Sequence, residues 1–280
     1  SRCEFLDYVT FEYAKFSGRA SFEGAKFERI AVFVESEFLF EARFSNSEFL
    51  NIAGFDLAEF SHMANFSNAK FSGEANFSGA KFLAWAAFDG IKFSGNLSFN
   101  GAEFSDVALF IESKFSGDTD FGDTKFLGNA LFDKAEFLGD VFFQGTEFSG
   151  DVFFDSTRFS GFTSFNRSKV TGVVTFGATV FQTNDNQILS SPIKQYTSFE
   201  GISVDRHGEL RFEGGVCMSR VSLYYTDIRR FSFVDVEWGR LGGRAAIMEH
   251  GILDERKRRS KDEMMDLPEV TPEHVQQIYV

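Results

Sequence analysis

The sequence is poor in several residue types on which other folds depend. Among 280 residues there are two cysteines, three prolines, four histidines and two tryptophans. The two cysteines, Cys3 and Cys217, form no CxxC pair, which excludes a disulfide scaffold and a cysteine zinc site. Because no run of 18 apolar residues occurs, the sequence predicts no membrane-spanning helix within it. So little cysteine favours a reducing compartment, and we expect a cytoplasmic location.

Groups of residues that could perform catalysis are also absent from the sequence. His62, His207, His250 and His274 lie far apart along the chain. The segment DTDFGD at 118–123 spaces three carboxylates, but it lacks the length and glycine placement of an EF-hand loop. We therefore expect no enzyme activity, no metal and no cofactor. The formal net charge of -13 also makes nucleic acid an unfavourable direct ligand, and it suits a protein partner instead.

What the sequence does have is phenylalanine, 40 of them. From Phe5 to Phe181 a Phe recurs with spacings of six and five in alternation, at 32 of 33 positions, and Val170 takes the remaining one. Two residues before most of these Phe stands a small or β-branched residue, and Ser, Gly, Asn or Asp often follow. Two apolar positions separated by one residue, followed by turn residues, are typical of a very short strand with one buried face. A helix is excluded, because this period cannot keep Phe on one helical face.

The repeat resembles that of the pentapeptide-repeat proteins. Their unit has a small residue two places before a central Leu or Phe, with polar residues between, and Ala75–Phe82 (ANFSGAKF) contains two such units. The resemblance covers residues 1–181. It implies an all-β fold, a right-handed quadrilateral β-helix with the Phe side chains stacked inside. The sequence departs from a strict repeat because one side in two contains an extra residue.

The charged residue before each Phe in the five-residue spacing predicts the length of one coil. These residues run from Lys15 to Lys169 at intervals of 11. At a separation of 11, six of 14 neighbouring pairs have opposite sign, whereas at 22 ten of 13 do. Opposite charges on adjacent strands stabilise a sheet modestly. The pattern therefore predicts about 22 residues per coil, so that Phe77 stacks on Phe99 and not on Phe88.

The sequence divides into three parts. Residues 1–181 form the regular Phe ladder. Residues 182–238 begin with a polar insertion and return to a strict spacing of five, which predicts interrupted coils and a C-terminal cap. Residues 239–280 are Gly-rich and then highly charged, which predicts a linker and the start of a short helix at Thr271.

Acidic residues are concentrated in one stretch. Residues 103–155 hold 12 acids and three bases. At a period of 22, Asp118 stacks with Asp140, and Asp133 stacks with Asp155, with Asp89 further back in the same column. These five residues are the candidate partner-binding acidic columns, although an acidic surface also serves solubility.

Two functions follow as hypotheses. The first is a non-enzymatic structural scaffold or protein-interaction solenoid that belongs to a longer chain. Its partner is a protein of unknown identity, and a homo-oligomer or a membrane domain beyond the C-terminus is left open. The alternative comes from the resemblance, since some pentapeptide-repeat proteins are acidic DNA mimics. Such a protein binds a type II topoisomerase (gyrase) and inhibits or protects it.

Overall fold

The computed structural model describes residues 3–181, 197–216, 221–223, 226–236, 240–241 and 244–245. The polar insertion at 182–196, Cys217 and the helix expected from Thr271 lie outside the described residues. In the described part, the chain forms a β-solenoid of four parallel sheets. Each coil contributes one short strand to each sheet, and the sheets are named A, B, C and D in the order in which a coil visits them.

The strands of sheets A and B stack in chain order. Sheet A contains β1 (Glu4–Phe5), β5 (Lys26–Phe27), β9 (Glu48–Phe49), β13 (Lys70–Phe71), β17 (Lys92–Phe93), β21 (Lys114–Phe115), β25 (Glu136–Phe137), β29 (Arg158–Phe159) and β33 (Val180–Phe181). Sheet B contains β2 (Val9–Thr10), β6 (Ala31–Val32), β10 (Ala53–Gly54), β14 (Ala75–Asn76), β18 (Leu97–Ser98), β22 (Thr119–Asp120), β26 (Val141–Phe142), β30 (Thr163–Ser164), β34 (Thr197–Ser198) and β37 (Val221–Ser222).

The strands of sheets C and D stack in the same way. Sheet C contains β3 (Lys15–Phe16), β7 (Glu37–Phe38), β11 (Glu59–Phe60), β15 (Lys81–Phe82), β19 (Glu103–Phe104), β23 (Lys125–Phe126), β27 (Glu147–Phe148), β31 (Lys169–Val170) and β35 (Ser203–Val204). Sheet D contains β4 (Ala20–Ser21), β8 (Ala42–Arg43), β12 (Ala64–Asn65), β16 (Ala86–Ala87), β20 (Ala108–Leu109), β24 (Ala130–Leu131), β28 (Val152–Phe153), β32 (Val173–Gly177), β36 (Glu209–Glu213) and β38 (Phe231–Val234).

The register confirms the predicted coil of 22 residues. In sheet C, Glu103 pairs with Lys81 on one side and with Lys125 on the other. Phe77 stacks on Phe99 with ring centroids 4.8 Å apart and 19° between the planes, whereas Phe77 meets Phe88 edge-on at 5.8 Å and 90°. The charge pairing used for this prediction is also present, for example between Lys169 and Glu147 at 3.1 Å.

The core is a continuous column of phenylalanine. Ladder residues from Phe27 to Phe176 are buried. Their rings stack on the equivalent rings of the next coil, except at Phe148, whose equivalent is Val170. Phe55 and Phe77, for instance, lie 4.7 Å apart and within 2° of parallel. Edge-to-face contacts then cross the interior between sheets, as for Phe66 and Phe77 at 5.5 Å. Offset-stacked and edge-to-face aromatic pairs each add roughly 0.5–1.5 kcal/mol beyond area burial.

Two kinds of corner explain why the spacing alternates between five and six. The five-residue corners turn through a residue with positive φ, such as Leu57 at 55° or Gly79 at 65°. The six-residue corners are wider and bring successive coils together at glycine. A Cβ on Gly117 would lie 2.6 Å from the carbonyl carbon of Gly95. The extra residue of the six-residue spacing is therefore accommodated in the wider corner, and the close approach at Gly117 is possible because glycine has no Cβ.

Hydroxyl groups inside the solenoid connect one coil to the coil before it. Thr124 Oγ1 donates a hydrogen bond to the carbonyl oxygen of Phe99, 25 residues earlier, at 2.8 Å. The same bond recurs for Ser113, Thr146, Thr157, Ser168 and Thr179 at 2.6–2.8 Å. Two other threonines differ, because the buried Oγ1 atoms of Thr119 and Thr163 have no hydrogen-bond partner.

The described part of the C-terminal region continues sheets B, C and D. The side chains of Val216, Val221 and Leu223 are buried there. A single-turn 3₁₀ helix at Ile228–Arg230 precedes β38. In the segment that the sequence predicts as linker, β39 (Arg240–Leu241) pairs antiparallel with β40 (Arg244–Ala245). Gly242-Gly243 separates these two strands in the sequence, a dipeptide typical of hairpins. Across the described ranges, no helix has the length and apolar character needed to cross a membrane.

Candidate protein-interaction surfaces

The first acidic column, Asp118 and Asp140, lies on the wide corner before sheet B. The carboxylate of Asp118 accepts a hydrogen bond from the backbone N–H of Asp140 at 2.9 Å. The carboxylate of Asp140 accepts in turn from the N–H of Phe162 at 2.9 Å, and Asn96 performs the same role for Asp118 at 3.0 Å. These side chains therefore form a ladder along the rod, each satisfying a backbone donor of the next coil.

The opposite wide corner, before sheet D, has the same hydrogen bonds from backbone N–H groups to side-chain oxygens of the preceding coil. Asn129 Oδ1 accepts from the N–H of Asp151, and Asp151 accepts from the N–H of Val173. Backbone N–H groups need a hydrogen-bond acceptor, and the side chains of aspartate and asparagine supply one at these corners. Because Asn serves as well as Asp, the ladder needs the side-chain oxygen and not its charge.

The second acidic column, Asp89, Asp133 and Asp155, lies along one edge of sheet D. Partial burial raises the pKa of Asp89, while a hydrogen bond from Ser67 opposes that rise. Partial burial also raises the pKa of Asp133, and the nearby charge of Asp155 raises it further. Asp155 accepts hydrogen bonds from the N–H of Gly177 at 2.8 Å and the hydroxyl of Thr175 at 3.0 Å. The structure therefore brings the column together as predicted in register, with Ile111 between Asp89 and Asp133.

Apolar side chains project outward from four consecutive strands of sheet D, beside this acidic column. Ala87 pairs in register with Leu109, Leu109 with Leu131, and Leu131 with Phe153. Each is the second residue of its two-residue strand, whereas the first, such as Ala108 or Ala130, faces the core. Outward positions of a solvated sheet are ordinarily polar, so four apolar residues in one column are unusual.

Neighbouring residues widen this column into a surface. Trp85 and Val107 come two residues before an outward strand position and Ile111 comes two residues after one, so these residues flank the column. Trp85 is 47 % exposed. We define the apolar stripe by the following residues: Trp85, Ala87, Val107, Leu109, Ile111, Leu131 and Phe153. The acidic rim that borders it consists of Asp89, Asp133 and Asp155 on one edge and Asp151 on the other. An apolar patch bordered by charge is typical of a protein-interaction site.

Sequence reasoning missed the apolar stripe. The outward charges that predict the coil length belong to the five-residue spacing, in which the residue before Phe is polar or charged. In the six-residue spacing, the residue before Phe is Ala87, Leu109, Leu131 and Phe153 at intervals of 22. An apolar residue recurring at an outward position with the coil period was the signal that could have revealed it.

A polar groove lies on sheet B, on the opposite side of the rod. It has a volume of about 700 Å³, and Asn76, Asn100, Asp118, Asp120 and Gln144 are among the residues that line it. Asp120 accepts from the N–H of Gly122 at 2.7 Å and from the Asn100 side chain at 3.3 Å. Its acids and carboxamides thus bond to one another and to the backbone.

Within the ranges that the structure describes, no three His, Cys, Asp or Glu side chains lie close enough together to hold a metal ion. His62 is exposed and stacks on Phe40, with ring centroids 5.5 Å apart. Cys3 is exposed and free.

These features define a class of protein, the quadrilateral β-solenoid with a stacked aromatic core. A family model described as pentapeptide repeats (9 copies) matches residues 1–48, 44–92, 55–103 and 99–147. Together these matches cover more than half of the chain, so the chain belongs to the pentapeptide-repeat family. No curated protein matches this sequence.

Two solved structures similar to this chain are themselves pentapeptide-repeat proteins. QnrB1, a plasmid-mediated fluoroquinolone resistance protein, is 17% identical, and the match covers 74% of this chain and 91% of QnrB1, with a TM-score of 0.25. HetL, involved in heterocyst differentiation regulation in the cyanobacterium Nostoc sp. Strain PCC 7120, is 10% identical. That match covers 86% of this chain and 92% of HetL, with a TM-score of 0.22.

Proposed function

We propose that this chain is a rigid, non-enzymatic protein-interaction solenoid that acts in the cytoplasm and binds a protein partner through the apolar stripe. The observation that carries the proposal is the outward column Ala87, Leu109, Leu131 and Phe153. A stacked Phe core fixes the strands beneath this column, so the surface is preorganised and little entropy is lost when a partner binds. The acidic rim favours a partner segment whose apolar residues are flanked by Lys or Arg.

A site-specific photo-cross-linker tests the proposal in cells of the source organism. The photoreactive residue replaces Leu131 on the stripe or, as a control, Leu83, which is 42% exposed on a corner. We expect a discrete adduct with another protein from position 131 and none from position 83. The adduct must disappear when Leu109→Lys is introduced. Equal labelling from both positions, or an adduct that persists with Leu109→Lys, contradicts the proposal.

The acidic DNA mimic is the second candidate. The net charge of -13 supports it, together with the placement of Asp118 and Asp140 in one column on the rod surface. Gyrase supercoiling, measured with and without the protein, is the direct assay. Asp118→Asn with Asp140→Asn retains both side-chain acceptors but removes two charges, as Asn96 already does in the same column. If the protein is a DNA mimic, this variant should no longer inhibit or protect gyrase. If the variant affects gyrase supercoiling as the original protein does, gyrase does not recognise these two charges.

A further inference from the structure

The apolar stripe and its acidic rim together specify the chemistry of an occupant. The stripe offers apolar contacts along sheet D, and the rim adds Asp89, Asp133 and Asp155 on one edge and Asp151 on the other. Partial burial raises the pKa values of Asp89 and Asp133, which shows that ionisation of these two groups is costly where they lie. A cation placed beside them would offset that cost. The complementary ligand is therefore an apolar segment followed closely by several Lys or Arg residues.

One segment of this chain has that composition. Residues 255–261 read ERKRRSK, with five cations and one acid, in a protein whose formal net charge is -13. It is the densest group of cations in the sequence. Apolar residues come shortly before it, at Ile247-Met248 and Ile252-Leu253. We name residues 247–261 the basic segment, which holds five cations and three acids, Glu249, Asp254 and Glu255.

The last strand of sheet D lies on the side of the solenoid that carries the stripe. β38 is the last strand of sheet D, so the described chain completes its final coil on the sheet that carries the stripe. Four strand steps separate β38 from β24, which contains Leu131, and they span about 19 Å at the usual strand spacing. The 20 residues from Val236 to Arg256 can extend to roughly 65 Å. Tethering at this range gives an effective concentration on the order of millimolar.

We propose that the basic segment docks in cis on the apolar stripe of sheet D. Ile252 and Leu253 cover Leu131 and its neighbours, and Arg256, Lys257 and Arg258 lie against the acidic rim. The inference rests on the proposed function in taking the stripe as a binding surface, and it adds a regulation. The basic segment and an external partner compete for one site, so a partner binds more tightly when the basic segment is removed from the stripe.

Trp85 reports whether the stripe is covered. The chain has only two tryptophans, so Trp238→Phe leaves Trp85 as the single emitter. In the full chain we compare the Trp238→Phe protein with a variant of it that carries six further substitutions. These are Ile252→Ser, Leu253→Ser, Arg256→Gln, Lys257→Gln, Arg258→Gln and Arg259→Gln. The control carries Arg229→Gln and Arg230→Gln, which are exposed cations outside the basic segment.

We expect the basic-segment variant to shift Trp85 emission to the red and to lose protection against acrylamide quenching, while the control changes neither. Identical emission and quenching in all three proteins would overturn the proposal. High salt should reproduce part of the loss, since charge pairs at the rim are screened.

Disulfide trapping locates the contact. In a Cys3→Ser, Cys217→Ser background, Leu253→Cys is combined either with Leu131→Cys on sheet D or with Ser98→Cys on sheet B. Mild oxidation should join 253 to 131 within one chain and leave 98 unjoined, because a disulfide requires Cα atoms within about 7 Å. Equal joining to both positions, or joining only between two chains, overturns docking in cis. Disulfide trapping can fail in this way while the photo-cross-linker at position 131 still forms an adduct with another protein. That combination would show that the proposed function holds without this regulation.

Discussion

Asp118 and Asp140, two acids stacked 22 residues apart, are joined by a hydrogen bond from the backbone N–H of Asp140 to the carboxylate of Asp118, at 2.9 Å. The bond supplies a structural reason for an acidic column that otherwise places like charges together. It also separates the role of the oxygen atom from the role of the charge, since Asn96 makes the same bond one coil earlier.

We therefore predict that Asp118→Ala destabilises the protein by about 1 kcal/mol, the usual net worth of a hydrogen bond. Asp118→Asn, which retains the acceptor, should keep the midpoint of urea unfolding within error of the original protein. If the Ala and Asn variants lose stability equally, the ladder of side-chain acceptors does not stabilise the corner.

Glycine in the wide corner gives a second prediction. Gly117→Ala would place a Cβ 2.6 Å from the backbone carbon of Gly95, and a backbone atom cannot move aside cheaply. We expect a loss on the order of 1–3 kcal/mol, as for other overpacked sites. Gly18→Ala is the matched control, because no atom lies within 4 Å of its Cβ position. Thermal unfolding of both variants is sufficient, and a tolerated Gly117→Ala would refute the close-approach argument.

The two kinds of buried threonine predict effects of opposite sign. Thr119 Oγ1 is buried without a partner, so Thr119→Val removes an unsatisfied hydroxyl and should stabilise the protein by about 1 kcal/mol. Thr124 Oγ1 donates to Phe99, so Thr124→Val should destabilise it by a similar amount and leave that carbonyl with one bond fewer. Denaturant midpoints of the two variants are compared with the original. A shift of the same sign for both would contradict this assignment.

Stability should depend on pH through Asp133. Its pKa is raised, chiefly by partial burial, above the ordinary value of 3.8. A raised folded-state pKa gives a stabilising contribution that is complete below the ordinary pKa and is lost as pH rises through the folded-state pKa. Asp133→Asn should therefore raise the unfolding midpoint at pH 7, with a gain that disappears below pH 3.8.

Asp106→Asn is a suitable control for that experiment, because Asp106 is exposed and its Oδ1 accepts only from the neighbouring N–H of Val107, a bond that Asn can keep. A gain for Asp133→Asn that is constant between pH 3 and pH 7 would show that ionisation of the carboxyl group is not its cause.

For the aromatic core we predict a larger loss of unfolding free energy. Phe110 is fully buried and stacks on Phe88 at 5.0 Å and on Phe132 at 4.8 Å. Phe110→Ala should cost about 3–5 kcal/mol of unfolding free energy, because it removes the packed ring and leaves a cavity. Leu127→Ala, at a site 42% exposed, should cost much less. Similar losses for the two variants would mean that the ladder is not the principal source of stability.

The sequence determines the inward half of this structure well. Phe at 32 of 33 ladder positions and the alternation of charge at a separation of 22 are sufficient to predict the four sheets and their register. Both signals are readable because each inward Phe and each outward charged residue meets its own equivalent in the next coil. The register found for Lys81, Glu103 and Lys125 confirms the reasoning.

The outward half is less predictable, for two physical reasons. The hydrogen bond from the Asp140 N–H to Asp118 depends on a side-chain rotamer, which a sequence pattern does not specify. The burial that raises the pKa of Asp133 depends on the neighbouring coils, which composition alone does not reveal. The apolar stripe, in contrast, could have been found, because Leu109, Leu131 and Phe153 recur with the coil period.

Because each coil stacks in register on the next, the length of the rod can change by whole coils without moving later residues to another sheet. Removing 22 residues would shorten the rod by about 4.8 Å and leave every later residue on its own sheet. Removing 11 would carry the later part of the chain halfway around the axis, so that residues of sheet D would continue sheet B and the apolar stripe would be divided between opposite sides. Length and orientation are therefore not independent, and relatives of different length can present the same face only if they differ by complete turns.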